Sequence, residues 1–374
     1  MRCVLAPDSF KGSLAAAEVA AAIGRGLQRV LPDIALDICP MADGGEGTLQ
    51  ALASAGCGQL RSATVHDAEG RLRPVQWLQG AELAVLEVAQ VVGLPDVGAS
   101  PLAERHSGGV GELLRQMLDA GCRRIAVALG GASTNDGGAG LLAALGGRWL
   151  AADGRQLPPL PASWPPAVYF DESGLDPRLA GVQLEVWSDV GNPLCGPQGA
   201  SAVFGPQKGL LAQDLPRFDA ALQSLACALL RQQPGLSPQV DGGGAAGGMG
   251  FALQWLGARQ QSGAAAVAAA NGLASRIATA DWVITGEGRS DSQTLHGKAP
   301  ALVAQLAREH GVAVSLLSGA VEGNAALSEA FDGCFSLCPG PASLADAMQQ
   351  AAPWLEQAAE QMLRLRLAAR RQAC

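Results

Sequence analysis

Arg2-Cys3-Val4-Leu5-Ala6 is an apolar run that stops at Pro7, and Ile34-Ala35-Leu36-Asp37-Ile38-Cys39 is a second that stops at Pro40. Between them residues 14–30 are rich in alanine and repeat every 3.6 residues, which predicts a helix capped by Ser13 and closed by Pro32. The second run leads into Met41-Ala42-Asp43-Gly44-Gly45-Glu46-Gly47, and another helix is expected from near Thr48. Strand, loop and helix thus follow one another twice before residue 50. That order belongs to a parallel sheet covered by helices.

The rhythm returns near the carboxyl end. Residues 282–285, 312–317 and 334–337 read as strands that run into Gly286-Glu287-Gly288, Ser318-Gly319 and Pro339-Gly340, and residues 343–368 read as one long helix. The middle differs in texture. Short alternating segments at 72–78 and 83–88 predict antiparallel pairing. Residues 124–129 and 184–188 are further strands, while 153–178, rich in Pro, Asp and Gly, reads as an irregular excursion. The expected fold is α/β: a Rossmann-like parallel-sheet domain made from both chain ends (1–62 and 280–374), with a second α/β domain (63–279) inserted. The active site is expected in the cleft between them, since ligands favour domain junctions and the carboxyl ends of parallel strands.

Composition narrows the function. Apolar residues make up 48% and charged residues 16%, so a large core can be buried, and 49 glycines gather in a few loops. The net charge is −8 and no basic run exceeds a pair, which excludes a nucleic-acid stripe. No segment approaches the ~20 apolar residues that span a bilayer, and scattered cysteines without CxxC spacing read as reduced thiols of a cytoplasmic protein. Nothing in the chain decides between a monomer and a homo-oligomer.

Only three lysines stand against twenty-three arginines, and each lies beside a glycine: Lys11, Lys208 and Lys298. Where arginine serves as the surface cation, a retained lysine points to a compact ammonium wanted for a phosphate or carboxylate. Four loops rich in polar residues accompany them. Asp43 to Thr48 lets backbone N–H groups approach an anion at a helix start; a tight turn with a capping acid is the plain alternative. Gly130 to Gly138 includes Gly131, Ser133, Thr134, Asn135 and Asp136, of which capping alone would need one. Ser188-Asp189-Val190-Gly191-Asn192 offers an acid beside an amide, which suits Mg²⁺, with an Asx turn before Pro193 as the plain alternative. Thr285 to Thr294 packs Glu287, Arg289, Ser290, Asp291 and Ser292 at a strand end and runs on to His296 and Lys298. The glycine-rich segment 241–250 is a hinge or close-approach segment.

Standard signatures are missing: no GxxxxGK[ST], no GxGxxG after the first strand, no HExxH and no GxSxG. Clustered acids, isolated lysines and anion-cradling loops suit phosphoryl transfer to a small anionic acceptor, a reaction that needs positioning and charge neutralisation.

At these loops the chain resembles the bacterial glycerate kinase family. The matching stretches are Ala6-Pro-Asp-Ser-Phe-Lys-Gly-Ser13, Pro40-Met-Ala-Asp-Gly-Gly-Glu-Gly-Thr48, Thr134-Asn-Asp-Gly-Gly-Ala-Gly140, Asn192-Pro-Leu194, Phe204-Gly-Pro-Gln-Lys-Gly209 and Ile284-Thr-Gly-Glu-Gly-Arg289 with Asp291-Ser-Gln-Thr294. Ala132-Ser133 reverses a pair usual in the family, and 66–70 and 105–107 also depart from it. The resemblance implies ATP- and Mg²⁺-dependent phosphorylation of D-glycerate, with 2-phosphoglycerate favoured. Lys11 and Lys298 would neutralise the glycerate carboxylate and the transferring phosphate. Asp43 or Asp189 would accept the hydroxyl proton, and Asp189, Asn192 or Asp291 would hold the metal. Substrate and phosphate contacts would come from Ser9, Gly44, Gly45, Glu46, Gly47 and Thr48, from residues 131 and 133–136, from Lys208, and from Gly286, Glu287, Gly288 and Arg289. A kinase for another small hydroxy acid, or a non-catalytic protein that binds an anionic metabolite, are the competing readings.

Overall fold

The computed structural model describes residues 1–295, 298–323 and 325–372; His296 lies outside the described residues. The chain divides into two compact units. The first comprises Met1–Asp43, Gln50–Cys57 and Ala264–Cys374, the second Gly44–Leu49 and Gly58–Gly263. The last crossing falls at 263/264, ahead of position 280. The alanine-rich segment from Ala265 shares a groove with Leu302 and Leu306 of the first unit, which keeps it there.

The first unit is built on a five-stranded sheet. Its order is Gly333–Ser336, Val314–Ser318, Trp282–Thr285, Arg2–Leu5, Ala35–Ile38, every neighbouring pair parallel. Leu5 lies opposite both Ile284 and Ile38. The three central strands are buried nearly throughout because helices cover both faces. Leu5, Ile23, Ile284, Leu317 and Leu355 form the centre of its core, each side chain contributing about 1.5–3 kcal/mol by leaving water.

The second unit holds a six-stranded sheet in the order Arg259–Gln261, Gln183–Trp187, Arg124–Ala128, Ala84–Glu87, Leu72–Gln79, Gln59–His66. The first four strands are parallel and the last two antiparallel. No described helix is long and apolar enough to cross a membrane.

Three local expectations change. The first helix is Ala16–Val30 with Ala15 as its cap residue, whose N–H donates to the Glu18 carboxylate at 2.8 Å. Ser13 is not the cap, because its hydroxyl donates to the Met348 carbonyl at 2.7 Å. The helix expected over 343–368 is two, Leu344–Gln349 and Ala351–Gln372. Pro353 has no N–H to give to the Gln349 carbonyl, so the ladder breaks there. The excursion 153–178 contains the strand Val168–Asp171, paired antiparallel with Arg148–Ala151. The long proline-rich connection between those strands carries no hairpin signal.

Candidate active site

All the strands of the first sheet run the same way, so the loops after them emerge along one edge. Asp8 to Lys11 follow the first strand, Asp43 the second, Glu287 to Arg289 the third, Gly319 the fourth and Leu337 the fifth. All of these line one basin of about 980 Å³ within the first unit. Close approach of two loops requires Gly286: a Cβ there would lie 1.8 Å from the Leu317 carbonyl oxygen.

Two lysine–carboxylate pairs stand in the basin. Lys11 Nζ lies 3.5 Å from Asp43 Oδ2, and Lys298 Nζ lies 3.7 Å from Glu287 Oε2. Asp43 holds the Lys11 ammonium above its usual pKa against partial desolvation. Glu287 is fixed by hydroxyls: Thr294 Oγ1 donates to Glu287 Oε1 at 2.7 Å and Ser290 Oγ at 3.3 Å. Between the pairs sits Asp8, half-buried, its N–H donating to the Gly286 carbonyl at 2.8 Å. Ser9 N–H donates to Asp8 Oδ1 at 2.6 Å. Desolvation and then the neighbouring Asp43 charge push the Asp8 carboxyl up to about 7. Arg289 is paired with Glu322 at 3.3 Å on the exposed rim. Gly288 accepts from Ala320 N–H. Asp291 N–H donates to Thr294 Oγ1 at 3.0 Å, which ties the Glu287 loop together.

The remaining sequence-predicted residues belong to the second unit. Gly44 accepts from Gly130 N–H, and Gly45 accepts from Thr48 Oγ1 at 2.7 Å; Glu46 is exposed. Gly47 N–H and Leu49 N–H both donate to Glu87, each at 3.2 Å. Glu87 ends the strand Ala84–Glu87, fully buried, and desolvation pushes its carboxyl up to about 7 against those hydrogen bonds. Gly131 accepts from Leu94 N–H, and Ser133 Oγ donates to the Val92 carbonyl. Asp136 is buried and accepts from Ser107 N–H and Oγ, Gly138 N–H and Gly140 N–H, so it organises the loop and the helix Ala139–Ala144 that follows. Asn135 Nδ2 donates to Ser201 Oγ at 2.9 Å. Thr134 Oγ1 and Asn135 Oδ1 are buried without a hydrogen-bond partner among the described residues.

Lys208 is buried beneath this loop, 4% exposed, and donates to the Thr134 carbonyl at 2.7 Å. The glycine-rich segment 241–250 packs on the same loop: Gly247 has φ +67, and a Cβ there would lie 2.0 Å from the Thr134 carbonyl oxygen. Asp189 Oδ1 accepts from Gly263 N–H at 2.9 Å. Asn192 Nδ2 donates to the Gln198 carbonyl at 2.8 Å, and the Asn192 carbonyl accepts from Gly244 N–H.

The structure therefore gathers Ser9, Lys11, Asp43, Glu287, Gly288, Arg289 and Lys298 into one basin of the first unit, while Lys208 is buried within the second. Sequence reasoning missed Asp8 and Glu87. Asp8 carried a signal, an acid just past a buried strand between Pro7 and Ser9. Glu87 carried none, because a lone acid closing an apolar run looks like a solvated strand end.

The model of the Glycerate kinase family matches residues 3–367. A curated glycerate kinase of Bacillus subtilis (strain 168) is 41% identical over 371 residues, 96% of each chain. The glycerate 2-kinase of Escherichia coli (strain K12) is 39% identical over 359 residues, 94% of each chain. A crystal structure described as a glycerate kinase 2 from Salmonella typhimurium LT2 superposes with a TM-score of 0.88 at 38% identity, covering 99% of each chain.

Proposed function

The chain belongs to the glycerate kinase family, and on that premise we propose that it transfers the γ-phosphoryl group of ATP to D-glycerate, giving 2-phosphoglycerate. The observation that supports this reading most is the pairing of two of the three lysines with carboxylates in one basin lined by Asp8, Asp43 and Glu287.

Phosphoryl transfer asks the protein for positioning and for cations that neutralise charge on the transferring group. Lys11 and Lys298 meet that demand. Each meets its carboxylate through one long contact, 3.5 Å for Lys11 and 3.7 Å for Lys298, so an incoming anion can take the ammonium without breaking a tight bidentate pair. The hydroxyl proton of glycerate needs an acceptor tuned near neutral pH. Asp8 is so tuned, by desolvation and by Asp43, while Asp43 keeps the Lys11 ammonium charged. The Thr134 hydroxyl, buried without a hydrogen-bond partner among the described residues, supports a role for the loop 130–138 in holding a phosphate oxygen.

A divalent cation fits the donor set, since Mg²⁺ takes one or two carboxylates and completes its shell with phosphate oxygens and water. Asp189 and Asn192 in the second unit, or Asp291 in the first, are the oxygen donors that would hold it; Asn192 gives its NH₂ to the Gln198 carbonyl, which leaves its side-chain oxygen for a cation. When bound, the ion supplies charge neutralisation at the nucleotide phosphates. Phosphorus NMR of the product formed from glycerate and ATP tests the proposal directly. A resonance of 2-phosphoglycerate that grows with ADP is the expected result, and no phosphoglycerate above an enzyme-free control would refute it.

A further inference from the structure

The basin has a second wall that the charged groups do not use. The short helix Leu344–Gln349 has no buried residue, yet it presents an apolar stripe to the basin: Leu344, Ala347 and Met348, with Ala351 after it. The spacing is i, i+3, i+4, i+7, one face of a helix. Leu344 is 77% exposed and Met348 36% exposed. Such a stripe ordinarily packs into a core. Here the Pro353 break turns the helix away from Ala351–Gln372, and the stripe faces open volume. The Ser343 cap, which accepts from Asp346 N–H at 3.1 Å, and the Ser13 hydroxyl on the Met348 carbonyl hold it in that position.

We propose that this wall is the nucleoside subsite: the base and ribose of the phosphoryl donor lie against Leu344 and Met348, with the phosphates directed to Lys11 and Lys298. The assignment rests on the kinase reading above. Three observations carry it. The basin, about 980 Å³, has far more room than a three-carbon acid needs and lies at the upper end of the ~300–1,000 Å³ typical of small-molecule sites. Its two walls differ in chemistry as the two ends of a nucleotide do, with cations on one and aliphatic side chains on the other. Glycerate, anionic and with only one CH and one CH₂, gives an aliphatic stripe little to bury.

The test is calorimetric titration of the full chain and of Leu344→Asp with two probes, ATP and tripolyphosphate, the second lacking base and ribose. Leu344 is exposed, so the variant is expected to keep the parent melting temperature. ATP dissociation should weaken by about 10-fold in Leu344→Asp, the scale of losing one aliphatic contact, while tripolyphosphate affinity stays unchanged. Met348→Asp should repeat the pattern. ATP affinity within twofold of the parent, or an equal loss for both probes, overturns the assignment. Neither measurement requires turnover, so a chain that binds ATP as described but leaves glycerate untouched would refute the kinase reading and keep the subsite.

Discussion

Lys11 and Lys208 sit in near-identical sequence settings, each followed by a glycine in the left-handed region (φ +79 at Gly12, +92 at Gly209), yet the fold treats them in opposite ways. The Lys11 side chain is 78% exposed, stands across from Asp43 and is held more basic than usual. Lys208 is buried on a backbone carbonyl, and desolvation lowers its pKa to about 8. One ammonium is presented to an open basin; the other is held inside a loop cluster. A rare residue in a glycine turn therefore signals constraint, and its surroundings decide whether the constraint serves chemistry or architecture.

The contrast breaks most visibly in activity. Replacing Lys298 with alanine should lower kcat by about 1,000-fold, the scale of removing a preorganised electrostatic contact, with the melting temperature unchanged because the side chain is 41% exposed. Next comes Asp8→Asn, expected to reduce kcat by about 100-fold as a lost proton acceptor. The pH profile sharpens that test. As the proposed proton acceptor, Asp8 would act with its carboxyl ionised, and with that carboxyl pushed up to about 7 the parent kcat/KM should fall as pH drops through 7. The variant should lose that limb.

Lys208→Met should act on stability instead. The Thr134 carbonyl would lose its buried donor, which costs about 1–3 kcal/mol and is read as a lower melting temperature. The sign of its pH dependence follows from the depressed pKa. Between about 8 and the unfolded value of 10.5, the unfolded chain binds the proton and the folded chain does not. Parent stability relative to the variant should therefore rise with pH across that window. The smallest effect is expected for Ser13→Ala. It removes an exposed hydrogen bond to Met348 and should lower stability by about 0.5 kcal/mol in denaturant titrations.

The same contrast shows what the sequence could carry. The first unit was legible because its strands are buried apolar runs ending in polar loops, and parallel topology places those loops along one edge. Lys11, Asp43, Glu287 and Lys298 come from distant segments and meet for that reason alone. The four hydrogen bonds that Asp136 accepts from two segments were not readable, because Ser107 arrives from a separate loop. Glu87 was invisible because its role depends on the Gly47 and Leu49 amides arriving from a separate loop. The apolar stripe on Leu344–Gln349 looked like part of a continuous core helix, since one missing N–H at Pro353 is a weak signal against strong helical periodicity. Local chemistry survives translation into sequence pattern; convergence of separate loops does not.

The proposed chemistry of the basin stands or falls on its two lysines. The decisive measurement is phosphorus NMR of ATP and glycerate incubated with the Lys11→Ala/Lys298→Ala double variant, alongside a circular-dichroism melt. The account predicts a parent-like melt and no phosphoglycerate above the enzyme-free control. Phosphoglycerate formed at a rate comparable to the parent's would contradict it.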